Sequence, residues 1–153
     1  MILPRPLLLA SFLFLAAARA DTPKQNVKLA DLPATVRKSV LEQKQQARIL
    51  RLEKTLQEGK EIYEVQLKSG VVRKTVFIDD DGAVLEIKQP IPLSQVSPAA
   101  KKVIESSVQN GKIVTLESVK SASGLIAAYQ VRFTRNGTES QLRVGPDGRL
   151  VPE

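Results

Sequence analysis

The sequence predicts an α+β fold made of two repeats. Each repeat has one helix followed by an antiparallel four-stranded sheet, and the helices pack on one face. Three observations support this prediction: apolar residues recur at helical spacing in two places, apolar and polar residues alternate in the segments that follow, and the two stretches match each other in order. A charged fraction of 25% and an apolar fraction of 42% are typical of a globular chain.

Residues 1–20 have the pattern of a secretory signal peptide. Arg5 supplies the positive charge, Leu7–Ala18 is apolar, and residues 18–20 fit the small-x-small cleavage pattern. The apolar run is shorter than the ~20 residues that a membrane span needs, which argues against an uncleaved anchor. We therefore expect cleavage after Ala20, and a mature chain without a transmembrane segment in the periplasm or outside the cell.

The mature chain divides into a short polar segment and two repeats. Residues 21–28 are predicted to be flexible, and the repeats are residues 29–88 and 89–153. Leu29–Leu32 matches Leu93–Val96, and later segments match at nearly the same spacing. Residues 88–93 contain two prolines and are predicted to form a short stiff linker between the repeats.

Each repeat is predicted to begin with a helix. In the first, Pro33 opens the helix, and Val36 and Val40 form its apolar stripe. In the second, Ser97 is an N-cap and Pro98 occupies the first helical position.

Strands are predicted after each helix, because apolar and polar residues alternate there with a period of two. The apolar set should face the helices, since these need an apolar surface to pack on, and the polar set should face away. The inward set comprises Tyr63, Val65 and Leu67 in the first repeat and Tyr129, Val131 and Phe133 in the second.

The strand at 63–65 and the hairpin leading into residues 76–84 resemble the PepSY and PepSY-like domains. These are small exported bacterial modules related in fold to the beta-lactamase-inhibitor protein. Residues 129–131 and 142–150 look like a weaker copy, and the resemblance covers nearly all of residues 29–151. It implies a periplasmic or extracellular location and non-enzymatic work, such as restraining peptidases or binding proteins with the open sheet face. It implies no catalytic residues, because the motif marks turns and core positions.

The chain contains no Cys and no His. Thiolate nucleophiles, Ser–His pairs and His/Cys zinc sites are therefore excluded. We expect no enzymatic activity, no cofactor and no metal. The acidic stretch at 79–81 could offer oxygen ligands to Ca²⁺, but its spacing differs from an EF-hand loop, and Asp81-Gly82 favours a turn. The sequon at 136–138 is likewise predicted to be a hairpin turn.

The chain is basic, with 23 Lys and Arg against 16 Asp and Glu. We expect a protein partner in the cell envelope, acidic in character, bound through the open sheet face in an inhibitor-like manner. Nucleic acid is not expected as a partner, because the strands offer no aromatic stacking platform. The alternative is a structural or sensing protein that contacts anionic polymer or lipid headgroups. The residues predicted to contact a protein partner are Arg51, Lys68, Arg73, Arg132, Arg135 and Arg143.

Overall fold

The structure is a computed structural model that describes residues 23–152. The predicted signal peptide and its cleavage site lie outside the described residues. Short 3₁₀ turns at Leu29–Asp31 and Leu93–Gln95 precede the two helices. The main elements are β1 (Gln25–Asn26), α1 (Ala34–Lys44), β2 (Arg48–Gln57), β3 (Lys60–Ser69), β4 (Val72–Asp79), β5 (Val84–Pro90), α2 (Pro98–Val108), β6 (Lys112–Lys120), β7 (Ile126–Arg135) and β8 (Thr138–Val144).

The strands form one continuous antiparallel sheet in the order β1 to β8. The prediction of two repeats, each a helix followed by a four-stranded sheet, is therefore wrong, because the eight strands belong to a single sheet. β5 and β6 pair from Ile87↔Lys120 to Pro90↔Glu117, which satisfies backbone groups that two separate sheets would expose at their edges. Part of the predicted linker is thus strand. The second half has three strands, because the chain after β8 adds only a bridge between Val144 and Leu150.

Both helices pack on the same face of the sheet, each over its own half. α1 buries Val36 and Val40 in one apolar cluster, and α2 buries Ala100, Ile104 and Val108 in another. The inward residues predicted from alternation are all buried beneath them. We call this side of the sheet the helix face and the other side the open face.

The helices begin and end at recognisable residues. Ser97 Oγ accepts a hydrogen bond from the N–H of Ala100 at 3.4 Å, as predicted for an N-cap. Gln45 and Gln109 follow the helices with φ of +46°, a left-handed conformation that reverses the chain into the next strand. No helix within residues 23–152 is long and apolar enough to cross a bilayer.

Two glycine turns pack directly against the starts of the helices. Gly82 follows β4 with φ of +89°, and a Cβ there would lie 2.8 Å from the carbonyl carbon of Thr35 in α1. Ser39 Oγ donates to the Gly82 carbonyl oxygen at 2.6 Å. Beyond β8, a Cβ on Gly148 would lie 3.0 Å from the carbonyl oxygen of Ala99 in α2. Each turn needs glycine because a side chain would push the helix away.

The first and last strands form the two edges of the sheet. β1 pairs with β2 through only two residues. At the other edge, the chain after β8 folds back, and Val151 N–H donates to the Arg143 carbonyl oxygen at 2.9 Å. The described chain therefore enters the sheet at one edge and leaves it at the other.

Candidate functional site

Cross-strand register shows which side chains share the open face. Gln66 opposes Thr75, Thr75 opposes Lys88, and Lys88 opposes Val119. Directly opposed residues point to the same side of a sheet. This row therefore crosses the open face from β3 to β6, and it continues to Ala128 on β7.

The open face is concave. Ile62 on β3 and Gln130 on β7 line the same cavity, although four strand spacings, about 19 Å in a flat sheet, separate these strands. The sheet therefore bends towards its open face, using the twist that accumulates from strand to strand. On the same side, Arg143 on β8 reaches Glu86 on β5, with 3.0 Å between Nη2 and Oε2.

A cavity of about 410 Å³ lies in this concave face. Its size falls within the roughly 300–1,000 Å³ range of small-molecule sites. Six strands contribute to its lining, so both halves of the chain build it. The lining combines three glutamine amides with apolar Ile62, Phe77 and Leu85 and charged Glu86, Lys88 and Arg143.

Glu86 lies between two cations in the cavity. Its Oε2 is 3.0 Å from Arg143 Nη2 and its Oε1 is 3.1 Å from Lys88 Nζ. Lys88 Nζ also lies 4.8 Å from the centre of the Phe77 ring, a cation–π distance. With two positive charges and one negative, the lining carries a net charge of one positive.

Two buried polar atoms of this lining have no hydrogen-bond partner within the described residues. They are Arg143 Nε and Gln130 Oε1, and their residues oppose each other on β8 and β7. Buried polar atoms are nearly always bonded, so such a pair needs an explanation. Both atoms are shielded from solvent, so they lie beneath the cavity surface and are not part of the surface that a ligand would touch.

The structure separates the six residues predicted to contact a partner. Arg143 lines the cavity. Arg135 lies on the helix face, where its Nη1 donates to the Ser107 carbonyl oxygen of α2 at 3.1 Å, so it cannot contribute to a contact through the open face. The remaining four lie on the open face outside the cavity lining: Arg51, Lys68, Arg73 and Arg132.

Two of these four basic residues form a pair. Lys68 and Arg73 oppose each other on β3 and β4, and within residues 23–152 neither has a carboxylate partner. By contrast, Arg51 and Arg132 each face a glutamate, at 3.5 Å and 3.4 Å. Among the four predicted residues outside the cavity lining, the Lys68–Arg73 pair therefore offers uncompensated charge to a partner.

Sequence reasoning missed the apolar burial on the open face. Val119 and Ala128 are each 1% exposed and Ile62 is 7% exposed, although all three point away from the helices. One signal was present in β6, where polar Ser118 faces the helices and apolar Val119 faces away. This inverted alternation indicates that the open face is itself partly enclosed.

The acidic stretch at 79–81 forms the predicted turn. Asp79 Oδ1 accepts hydrogen bonds from the backbone N–H groups of Asp81 and Ala83, at 3.1 and 2.7 Å. Among residues 23–152, no three potential metal-ligating side chains are grouped around one point. Asn136 and Gly137 both have positive φ, as in a two-residue hairpin turn.

The two buried tyrosines use their hydroxyls differently. Tyr63 OH donates to Glu61 Oε2 at 2.6 Å, whereas Tyr129 OH accepts from the Ser97 N–H at 3.2 Å. Burial, and then the hydrogen bond to Glu61, raises the pKa of Tyr63 to about 12. This phenol therefore stays protonated at neutral pH, where it packs and donates.

A second cleft, of about 280 Å³, lies at the end of α1. Lys44 and Lys74 line it together with several glutamines, and none of its lining residues is acidic. Burial, and then the charge of Lys120, lowers the pKa of Lys74. This cleft is thus a concentration of positive charge on the helix face.

Solved structures share this fold at low sequence identity. A DUF2874 family protein from Bacteroides ovatus superposes with a TM-score of 0.62 at 15% identity, covering 79% of this chain and 85% of its own. A Bacteroides eggerthii protein assigned to the periplasm gives 0.64 at 11% identity, with coverages of 79% and 86%. A BLIP-like protein from Bacteroides fragilis gives 0.59 at 13% identity, with coverages of 79% and 84%.

These similarities support a BLIP-like fold for the chain. No protein-family model and no curated protein matches the sequence. The resemblance to PepSY domains and the descent of the two halves from one repeat therefore stay predictions.

Proposed function

We propose that this protein is an exported, non-enzymatic binding module that holds a protein partner, in the manner of an inhibitor, on its open face. The observation that carries this proposal is the concave face itself, with its cavity of about 410 Å³ built by both halves of the chain. The helices cover the opposite face, which leaves the concave one as the surface available to a protruding loop of a partner.

Export rests on two separate observations. Residues 1–20 have the signal-peptide pattern, and the structurally similar protein from Bacteroides eggerthii is assigned to the periplasm. An exported protein would meet its partner in the cell envelope.

Charge indicates what kind of partner fits. The cavity lining has a net positive charge, and Lys68 and Arg73 form a basic pair without carboxylate partners within residues 23–152. An acidic loop would complement both features. Complementary charge mainly accelerates association and makes it sensitive to salt.

Site-specific photocrosslinking in the expressing bacterium tests this proposal. A photoreactive phenylalanine analogue replaces Phe77 in the cavity, Arg132 on the open face, or Leu41, which is exposed on α1. We expect the first two positions to give the same discrete crosslinked protein and Leu41 to give none. Equal adducts from all three positions, or an adduct from Leu41 alone, would contradict binding through the open face.

The cleft at the end of α1 favours a second candidate function, which is contact with anionic polymer or lipid headgroups. Lys44 and Lys74 provide its charge. Vesicles containing an anionic phospholipid should then bind the protein at low salt, where surface charges are little screened. Lys44→Gln combined with Lys74→Gln should abolish this binding, because it removes the charge of the cleft. Binding unaffected by the double substitution would exclude this cleft.

A further inference from the structure

The cavity on the open face can also hold a small-molecule ligand. About 410 Å³ is enough for one compact organic molecule. Leu85 lines the cavity and is 47% exposed, and Ile62 and Phe77 add further apolar surface. A ligand with an apolar body would cover side chains that are otherwise partly in contact with water.

The charges in the cavity select the sign and the size of a ligand's charge. Lys88 and Arg143 share the single carboxylate of Glu86, which leaves one positive charge uncompensated. Both cations are only about one-fifth exposed, and a charge in a cleft acts more strongly than one on an open surface. A monoanion neutralises this excess, whereas a dianionic phosphate would overcompensate it.

We propose that this cavity binds a small organic carboxylate with an apolar body. The carboxylate lies beside Arg143 and Lys88, and the apolar body lies against Ile62 and Leu85. Arg143 has five N–H donors, and its side chain lines the cavity while Nη2 is bonded to Glu86. The ligand supplies acceptors to this guanidinium group.

Glu86 acts in this arrangement as an internal competitor. Its carboxylate occupies the position between the two cations and repels a second carboxylate. Removing its charge should therefore strengthen binding, which a merely structural role for Glu86 would not do.

Titration of the purified exported protein with 3-phenylpropionate, followed by two-dimensional NMR, tests the proposal. We expect saturable shifts in β5 and in the side-chain signals of Gln130 and Arg143. The neutral analogue 3-phenylpropionamide has the same shape and should bind about tenfold more weakly, the effect of one lost charge-assisted hydrogen bond. Acetate, which has the charge without the apolar body, should also bind more weakly.

Matched variants locate the site. Arg143→Gln and Lys88→Gln should each weaken binding of 3-phenylpropionate about tenfold, and Glu86→Gln should strengthen it several-fold. Arg37→Gln removes the same charge from the exposed surface of α1 and should change nothing. Thermal unfolding of each variant checks that it is folded. If either Arg143→Gln or Lys88→Gln fails to fold, the other variant still tests the proposal.

Three results would overturn the proposal: no saturable shift with 3-phenylpropionate, equal binding of its amide, or equal weakening by Arg37→Gln and Arg143→Gln. The proposal does not rest on the protein partner. Crosslinking from the open face without 3-phenylpropionate binding would reject the ligand site alone, and the reverse result would reject the partner alone.

Discussion

Arg132 and Arg143 lie on the same face of neighbouring strands, yet their surroundings differ. Arg132 is 46% exposed and faces Glu139 near the end of the β7–β8 hairpin. Arg143 is 21% exposed, because the curved sheet brings it over Glu86 in the cavity. From the alternation of apolar and polar residues along the strands, the two arginines are equivalent surface cations. Only the curvature of the sheet makes their surroundings different.

This difference predicts unequal effects of charge reversal on stability. Arg143→Glu places a second carboxylate beside Glu86 in a partly closed cavity and should lower the free energy of unfolding by ~2 kcal/mol or more. Arg132→Glu affects an exposed pair and should cost less than ~1 kcal/mol. Urea unfolding of the two variants measures both values, and similar losses would mean that the cavity is open to water.

Tyr63 gives a prediction for alkaline pH. Its pKa is raised to about 12 in the folded protein, by burial and then by the hydrogen bond to Glu61, whereas an unfolded tyrosine titrates near pH 10. The stabilisation linked to this proton is fully present below about pH 10 and is lost as the pH rises towards 12.

Ultraviolet titration of tyrosinate absorbance measures this pKa. The chain has two tyrosines, so Tyr63→Phe assigns the signals by difference. We expect the variant to lose a component that ionises near pH 12, and to lose less stability than the wild type between pH 10 and 12. A Tyr63 component that ionises near pH 10 would contradict the buried, bonded phenol.

At the scale of elements, each helix starts against a turn from its own half of the sheet. For α1 this is the turn between β4 and β5, and for α2 it is the turn after β8. Gly82 contacts Thr35 of α1, and Gly148 contacts Ala99 of α2. The turns therefore fix the angle at which each helix meets the sheet, in addition to reversing the chain.

Gly82→Ala should consequently be more harmful than the same change at an open turn. At Gly137, φ is +77° and no atom lies within 4 Å of the position that a Cβ would occupy, so alanine should cost only the ~1–2 kcal/mol of a left-handed conformation. At Gly82 the contact with the Thr35 backbone adds to this cost. Denaturant unfolding measures the free energy of unfolding of both variants, and we expect the larger loss for Gly82→Ala. Equal losses in the two variants would show that the turn can move away from α1.

Several elements could be predicted from sequence, for identifiable reasons. Alternation in β3 and β7 gave the correct inward residues, because a helix packs on one face of each of these strands. Ser97 and Pro98 marked the start of α2 correctly. β5 was partly mistaken for a linker, because Pro90 and Pro92 resemble chain breakers. Pro90 is nevertheless tolerated as the last residue of the strand, where the ladder ends.

At the scale of the whole molecule, two apolar clusters share one sheet. Each cluster lies under its own helix, and the β5–β6 pairing connects the two halves through Ile87–Pro90 and Glu117–Lys120. Residues 21–91 expressed alone would keep the cluster under α1 but expose the edge of β5, and a fragment of this size is marginally stable at best, so it should be poorly folded.

The full chain should instead unfold in one transition, and its tyrosines can report on the two halves separately. Tyrosine fluorescence follows Tyr129 in the Tyr63→Phe variant and Tyr63 in the Tyr129→Phe variant. For each variant, we expect the normalised fluorescence melting curve to coincide with the normalised melting curve from far-ultraviolet circular dichroism. A fluorescence transition clearly separated from the circular dichroism transition would mean that the halves unfold independently.

The open face could be predicted from alternation, but its cavity could not. Curvature results from twist accumulated over eight paired strands, and no local pattern records which distant strands approach each other. Thus Arg143 was predicted to contact a partner without any indication that Glu86 and Lys88 lie beside it in the cavity. Arg135 was wrongly assigned to the open face because it was grouped with its neighbours by charge instead of by its position in the alternation.

The position of the chain ends at opposite edges of the sheet has a mechanical consequence. A force pulling residues 23 and 152 apart is applied through the two edge strands, so it should open the outermost ladders of hydrogen bonds before the inner ones. The sheet should then peel open strand by strand from β1 or β8 at low force. A partner held on the concave face would be released as soon as the first strands of its binding surface came away.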